Sequence, residues 1–310
     1  MSPGARLGLG LAAVGRPAYI TTGRGDLPGD RSPAALQRRA HELLDAAVDL
    51  GIDHVDAARS YGRAEEFLAA WLRDRSTAPF VASKWGYRYT GGWRVDAAQH
   101  EVKDHSLGAF GRQWAETADL LGPWLRLYQV HSLTVDSPLW TDAALLRRLA
   151  EVRASGVELG FSTSGPDQAG AVRRGLALRV AGEPLFTSVQ ATWNLLERSA
   201  EGALAEAADA GARIVVKEAL ANGRLTGPDA PDGLRRAAGA VGVDVLALGA
   251  ALARPWADVV LSGAVTVAQL RSGAAARTPS TLAAAADALD AVAPLPAEQY
   301  WAERSRRPWA

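Results

Sequence analysis

Three observations predict an α/β protein, a single (β/α)₈ TIM barrel of parallel strands with an extra C-terminal helix, covering residues 1–310. Apolar runs alternate eight times with helical segments along the 310 residues, and strands that are apolar throughout imply a parallel sheet covered by helices. The length suits one large barrel, and no linker or shift of composition marks a second domain. An open doubly wound sheet would instead favour a glycine-rich phosphate turn after its first strand, and "GLGLAAVG" lacks that G-x-G-x-x-G spacing.

The elements follow in order. "RLGLGLAAV" (6–14) reads as a glycine-broken first strand rather than a leader peptide, because no basic stretch of several residues precedes it and no convincing cleavage site follows. "PAALQRRAHELLDAAVDLG" then carries apolar residues at helical spacing and ends on glycine. "IDHVDAA" (52–58) is a short buried strand, followed by the amphipathic "RAEEFLAAWLRDR". "PFVASKW" (79–85) is the third strand. After it the longest insertion, about residues 86–105, is expected to overhang the barrel mouth. "FGRQWAETADLLG", "LRLYQVHS" (125–132), "DAALLRRLAEVRASG", "VELGFSTS" (157–164), "FTSVQATW" (186–193), "SAEGALAEAADAG" and "ARIVVKEA" (212–219) continue the alternation. Two helices follow the seventh strand, among them "VDVLALGAALARP". The eighth, "DVVLSGA" (258–264), precedes a further helix, "STLAAAADALDAVAP".

Composition narrows the function classes. Hydrophobic residues make up 48% and charged residues 22%, enough for a sizeable core. Thirty-four basic residues balance thirty-four acidic ones, so nothing general draws the chain to nucleic acid or to an anionic membrane. No apolar run approaches the ~20 residues of a membrane span, and a cytoplasmic location is expected. The absence of cysteine excludes disulfides, thiolate metal sites and thiol catalysis. Only three of the basic residues are lysines, Lys84, Lys103 and Lys217. Lysine, unlike arginine, is readily tuned by burial, so each of the three invites a chemical explanation.

Polar residues collect where the strands end, which in such a barrel is the site-bearing face. Asp56 follows strand two, with Tyr61 in its loop. Lys84 ends strand three, His131 strand four and Ser162 strand five, while Gln190 lies on strand six and Lys217 and Glu218 end strand seven. Adjacent strands lie roughly 5 Å apart, so Asp56, Lys84 and His131 can converge with Tyr61 above them. A phenol is too weak an acid for efficient proton transfer at neutral pH. A neighbouring ammonium is expected to lower its pKa, a carboxylate would hold that ammonium in place, and a histidine would orient a substrate carbonyl. Such a set suits carbonyl reduction. His54 and Asp56 alternate on one strand face, but a metal site would need further ligands at other strand ends, and no metal is expected. Trp85, Tyr87 and Trp93 are candidates for a substrate pocket. Lys103, Asp104 and His105 sit in the insertion, as a solvated turn or a lid.

In these residues the chain resembles the aldo-keto reductase superfamily: an Asp-x-Ala-x-x-Tyr-Gly turn, a strand ending in Lys and a strand ending in His. The likeness continues through "GFSTSG", "VQATWNLLERS", "VVKEALANGRLTG" and "VVLSGAVTVAQL". It implies Asp56, Tyr61, Lys84 and His131 as the catalytic set acting on a small-molecule carbonyl substrate. It also implies Ser162, Gln190, Lys217, Gly223, Arg224, Ser262, Gly263 and Gln269 as the nicotinamide-cofactor segment. NADP(H) is the cofactor the resemblance favours, with NAD(H) left open. Several positions depart from the family pattern. Gly263 or Ala264 falls where a basic residue often grips the 2′-phosphate, Gln269 where an Arg is expected, and Gly273 where an Asn is expected. Only Arg271 and Arg277 are near. Thr163 stands where relatives carry Asn, and Lys217 where many stack a tyrosine on the nicotinamide. Two other readings stay open: a Schiff-base aldolase using Lys217 or Lys84, and a non-catalytic nicotinamide-binding redox sensor.

Overall fold

The computed structural model describes residues 5–20 and 29–310. Eight parallel strands close a barrel: β1 (Arg6–Gly10), β2 (His54–Asp56), β3 (Phe80–Trp85), β4 (Leu125–Leu133), β5 (Glu158–Thr163), β6 (Ser188–Thr192), β7 (Arg213–Lys217) and β8 (Val259–Ser262). Each pairs with its neighbours in sequence, and β1 closes the ring by pairing with both β2 and β8. The register aligns the strand ends. Gly10 lies opposite Asp56, Lys84 opposite Gln129, Gln190 opposite Ser162, and Thr192 opposite Lys217.

The helices form the outer layer. α1 (Pro33–Asp49) buries Leu36, Ala40, Leu43, Leu44 and Ala47, one face of a 3.6-residue period. It starts where Ser32 Oγ accepts from the Ala35 amide and Pro33 needs no partner for a missing N–H. α2 (Ala64–Leu72), α3 (Leu107–Leu121), α4 (Ala143–Ala154), α5 (Gln168–Ala177), α6 (Glu201–Asp209), α7 (Asp232–Ala238) and α8 (Val243–Leu252) follow. α8 is buried from Val245 onward because it lies under further helices. These are α9 (Val267–Ala274), α10 (Pro279–Ala291) and α11 (Ala297–Ser305). Gly249 permits the crossing of α8 with α10, since an added Cβ would stand 2.8 Å from Thr281 Cγ2. Leu195, Leu225, Leu234, Leu246, Ala285 and Tyr300 make a second, smaller core that docks these C-terminal helices.

Three details differ from the sequence reading. β1 stops at Gly10, and residues 11–14 turn towards the mouth. The insertion after β3 is not a plain loop: Tyr87–Tyr89 pairs antiparallel with Glu101–Lys103. α5, α9 and α11 do not stand out in the sequence because glycines, shortness and a charged composition, respectively, blur their apolar stripes. Among the described residues no helix is long and apolar enough to cross a membrane.

Candidate active site

Asp56, at the end of β2, is buried and carries three donors. Lys84 Nζ donates to its Oδ2, while Gln190 Nε2 and Gln129 Nε2 reach its Oδ1 at 2.9 and 3.4 Å. Lys84 is 0% exposed. Its ammonium also donates to the Ala57 carbonyl at 3.1 Å and to Tyr61 Oη at 3.3 Å. Three donors thus meet three acceptors, which makes a buried cation tolerable.

Tyr61 reaches over this pair because its backbone turns sharply. Gly62 has φ +61°, and a Cβ there would stand 2.5 Å from the Gly15 carbonyl, so the loop after β1 crosses directly over the tyrosine turn. The ring meets His131 edge-on at 5.5 Å, and the Arg16 guanidinium lies 5.1 Å from its centroid. Burial, followed by the Asp56 carboxylate, pushes the phenol pKa well above its ordinary value. The lowered pKa expected from the sequence is thus absent. Desolvation of the phenolate outweighs the nearby positive charge, and the resting phenol holds its proton.

His131 lies on β4 beside a one-residue bulge between Val130 and Leu133, where Ser132 adopts φ +53°. The Ser132 amide donates to Ser162 Oγ at 2.8 Å. His131 Nδ1 faces Ser60 Oγ at 3.4 Å, and Tyr87 packs against the ring at 5.0 Å. Burial, then Lys84, lowers the imidazole pKa well below its usual value, so the ring is neutral.

These groups border a cavity of about 670 Å³ at the C-terminal mouth, within the ~300–1,000 Å³ common for small-molecule sites. Asp56, Tyr61, His131, Tyr87, Gln190, Lys217, Gly223, Ser262, Gly263 and Gln269 line it, while Lys84 lies just behind. Lys217 Nζ donates to Thr192 Oγ1 at 2.7 Å and pairs with Glu218 at 3.7 Å; burial lowers its pKa to about 8. Ser262 Oγ accepts from the Ala264 amide at 3.3 Å, and Gln269 Oε1 from the Val265 amide at 2.8 Å.

Four expected residues lie elsewhere. Trp85 follows Lys84 on β3, and strand alternation turns it outward against Phe110 and His105. Trp93 packs on Phe67 and donates to the Arg31 carbonyl, away from the cavity wall. Arg224 pairs with Glu303 of α11 at 2.9 Å instead of facing the cavity. Ser162 is buried and committed to the bulge. The insertion nevertheless reaches the site, since Tyr87 and Glu101 both line it. Of the insertion's charged turn, Lys103 Nζ donates to Thr134 Oγ1 at 3.2 Å, while His105 is buried, with Nε2 2.8 Å from the His131 carbonyl oxygen.

Other site residues escaped the sequence reading. Arg16 is almost fully buried, donates to Glu101 at 2.8 Å and to the Ser60 carbonyl, and lies 4.6 Å from the Trp309 ring. The tail follows it: Ala310 and Tyr19 exchange two backbone hydrogen bonds. Glu218, at φ +57°, is gripped by Arg304 of α11 at 2.5–3.1 Å. Burial alone would raise its pKa, but Arg304 and Lys217 hold it down to about 2. Gln129, Ser60 and Asp244 complete the set. A polar residue just beyond β1, in "GRPAY", was the available signal for Arg16. Nothing local points to Trp309 or Arg304.

Among the described residues no three His, Asp or Glu gather as metal ligands. His54 stacks on Phe80 inside the barrel at 5.1 Å, and burial lowers its pKa to about 4. A nicotinamide dinucleotide fits the residues present. The cavity runs from Tyr61 and His131 to Gly263, where no heavy atom lies within 4 Å of an added Cβ.

Known proteins share this fold and family. The profile of the aldo/keto reductase family matches residues 20–237. An uncharacterized oxidoreductase, YqkF of Bacillus subtilis, is 23% identical over 203 residues, a stretch covering 64% of this chain and 61% of that protein. The holo form of the aldo-keto reductase AKR11C1 from Bacillus halodurans superposes with a TM-score of 0.71 at 22% identity, over 95% of this chain and 94% of that one. The glycerol dehydrogenase AKR11B4 from Gluconobacter oxydans does so with a TM-score of 0.68 at 21% identity, over the same shares. At these identities the two structures establish likeness of fold.

Proposed function

Because the chain belongs to the aldo/keto reductase family, we propose that it reduces the carbonyl of a small aldehyde or ketone to an alcohol with a nicotinamide cofactor, Tyr61 donating the proton. One observation carries this reading: the buried Lys84 ammonium, ion-paired with Asp56, lies 3.3 Å from Tyr61 Oη at the wall of a cavity that also holds His131.

A bound reduced nicotinamide supplies the hydride that reaches the carbonyl carbon. The chain's own residues do the rest. Tyr61 keeps its proton until negative charge develops on the substrate oxygen, then transfers it from Oη. The Lys84 ammonium stabilises the phenolate left behind, and Asp56 holds that ammonium in position. Gln129 and Gln190 hold Asp56 in turn. The neutral His131, with Ser60 at Nδ1, is suited to donate from Nε2 to the substrate oxygen and so fix its place. Gln190, Lys217, Gly223, Ser262, Gly263 and Gln269 border the space for the cofactor, and Tyr87 with Trp309 borders that for the substrate.

The test is oxidation of NADH and NADPH against a panel of aldehydes, ketones and quinones. Tyr61→Phe should lose ~10²–10⁴-fold in turnover, the share of a positioned general acid, with cofactor binding and melting almost unchanged. Near-normal turnover would make the phenol structural. A second reading has one observation in its favour, the Lys217 amine with a pKa of about 8, as a Schiff-base nucleophile would need. Borohydride trapping of a carbonyl compound on Lys217 would support it. Its existing bonds to Thr192 and Glu218 argue the other way.

A further inference from the structure

If the reacting end of a dinucleotide meets Tyr61, its other end extends to the far end of the cavity, where the residues have a distinctive chemistry. That end is built where α8, α9 and the end of β8 come together. Gly273 passes so close that an added Cβ would stand 3.1 Å from Leu248 Cδ1 and 3.9 Å from Ser262 Oγ. The next residue back, Ser272, donates to Asp244 Oδ2 at 3.1 Å. Asp244, one turn before Leu248 and half-buried, is therefore held by a neighbour while lining the cavity. It is the charged group of that end among the described residues. The cations bordering the cavity belong to the other end: Arg16 lies over Tyr61, Lys217 is tied to Thr192, and Arg304 is committed to Glu218. Arg277 donates to the Ala274 and Leu50 carbonyls, and Arg271 is exposed and does not line the cavity.

We propose that Asp244 selects an unphosphorylated ribose at this end, accepting hydrogen bonds from its vicinal hydroxyls, and so makes NADH rather than NADPH the cofactor. The inference rests on the reading of the cavity as a dinucleotide site. A carboxylate accepts from a cis-diol with both oxygens, the arrangement by which an acidic residue reads a ribose 2′-hydroxyl in doubly wound dinucleotide folds. A 2′-phosphate adds close to two negative charges that would face Asp244 with no lining cation at that end among the described residues to offset them. The open space at Gly263 leaves room for the sugar but supplies no side-chain donor for a phosphate.

ADP-ribose and 2′-phospho-ADP-ribose test this without hydride transfer, by calorimetry and tryptophan quenching. Wild type should bind ADP-ribose at least ~10-fold more tightly, a modest ratio for one charge-assisted contact set against one repulsion. Asp244→Asn keeps the side-chain shape and should narrow the ratio, chiefly by tightening the phosphorylated ligand. Ser272→Ala loosens the carboxylate and should narrow it partly. Equal or tighter wild-type binding of the phosphorylated ligand, for example through a swung Arg271, would overturn the proposal. So would an unchanged ratio in an Asp244→Asn protein of unchanged melting temperature. If neither ligand binds wild type, the dinucleotide reading itself fails and this inference falls with it.

Discussion

The two ends of the cavity are built on opposite principles. At the Tyr61 end, the central charged pair is buried and tied to several partners: Asp56 meets Lys84, Gln129 and Gln190, and Lys84 meets Asp56, Ala57 and Tyr61. At the Asp244 end, a half-buried carboxylate accepts from Ser272, and Gly263 opens onto free space. The first arrangement fixes the Tyr61 phenol to within hydrogen-bonding tolerance, and loss of either member of the Lys84–Asp56 pair leaves a buried charge uncompensated. The second tolerates change, because its groups are partly solvated and loosely held. On the proposed function, the chemistry is rigidly encoded at one end and ligand preference is adjustable at the other.

The largest effect should follow from cutting the Lys84–Asp56 pair on one side only. Lys84→Met leaves Asp56 buried with two amide donors, and breaking a buried ion pair commonly costs ~3–5 kcal/mol. Chemical denaturation should show that loss, and turnover should fall at least as far as in Tyr61→Phe. The double variant Lys84→Met/Asp56→Asn should regain most of the stability while remaining inactive. If the double variant is no more stable than Lys84→Met, the carboxylate was not the source of the loss.

A smaller effect is expected midway, where Glu218 is gripped by Arg304. Its pKa falls from the ordinary 4.5 to about 2. The stabilisation is therefore complete above pH 4.5 and is lost as the pH falls from there towards 2. Wild type should lose on the order of 2 kcal/mol across that interval beyond what Glu218→Gln loses, since the amide does not titrate. Parallel acid-stability curves for the two proteins would contradict the assignment.

The same contrast explains what the sequence disclosed. Strand ends in a parallel barrel all point to one face, so the order Asp56, Lys84, His131 along the chain already implies a cluster. Tyr61 joined it because Gly62 can take the left-handed turn that brings the phenol back over Lys84. Trp85, expected at the pocket, instead faces the helices, because the period-2 alternation of β3 turns it outward once Lys84 faces the barrel. Arg304 and Trp309 were hidden because their role depends on where the C-terminal helix and tail settle, more than 80 residues from their partners Glu218, Arg16 and His100. Asp244 read as one polar residue opening a very apolar helix. Its place in the cavity wall follows from the packing of α8 on α9, which no local pattern encodes.

The smallest effect, and the one most specific to the permissive end, comes from adding charge there. Gly263 has no heavy atom within 4 Å of an added Cβ, so Gly263→Lys introduces a flexible cation without displacing packed atoms. Melting should change little, within the ±0.5 kcal/mol usual for such surface substitutions. Binding of 2′-phospho-ADP-ribose should tighten by roughly fivefold, about 1 kcal/mol, as a solvated lysine–phosphate contact provides. Gln269→Arg should add less, because Gln269 Oε1 caps the Val265 amide and that bond is lost on substitution. With Asp244→Asn in the same chain, the gain from Gly263→Lys adds to the relief of repulsion, and the preference should pass to the phosphorylated ligand. A lysine at 263 that tightens both ligands equally would mean that this position meets the pyrophosphate instead, and the ribose end would have to be sought elsewhere along the cavity.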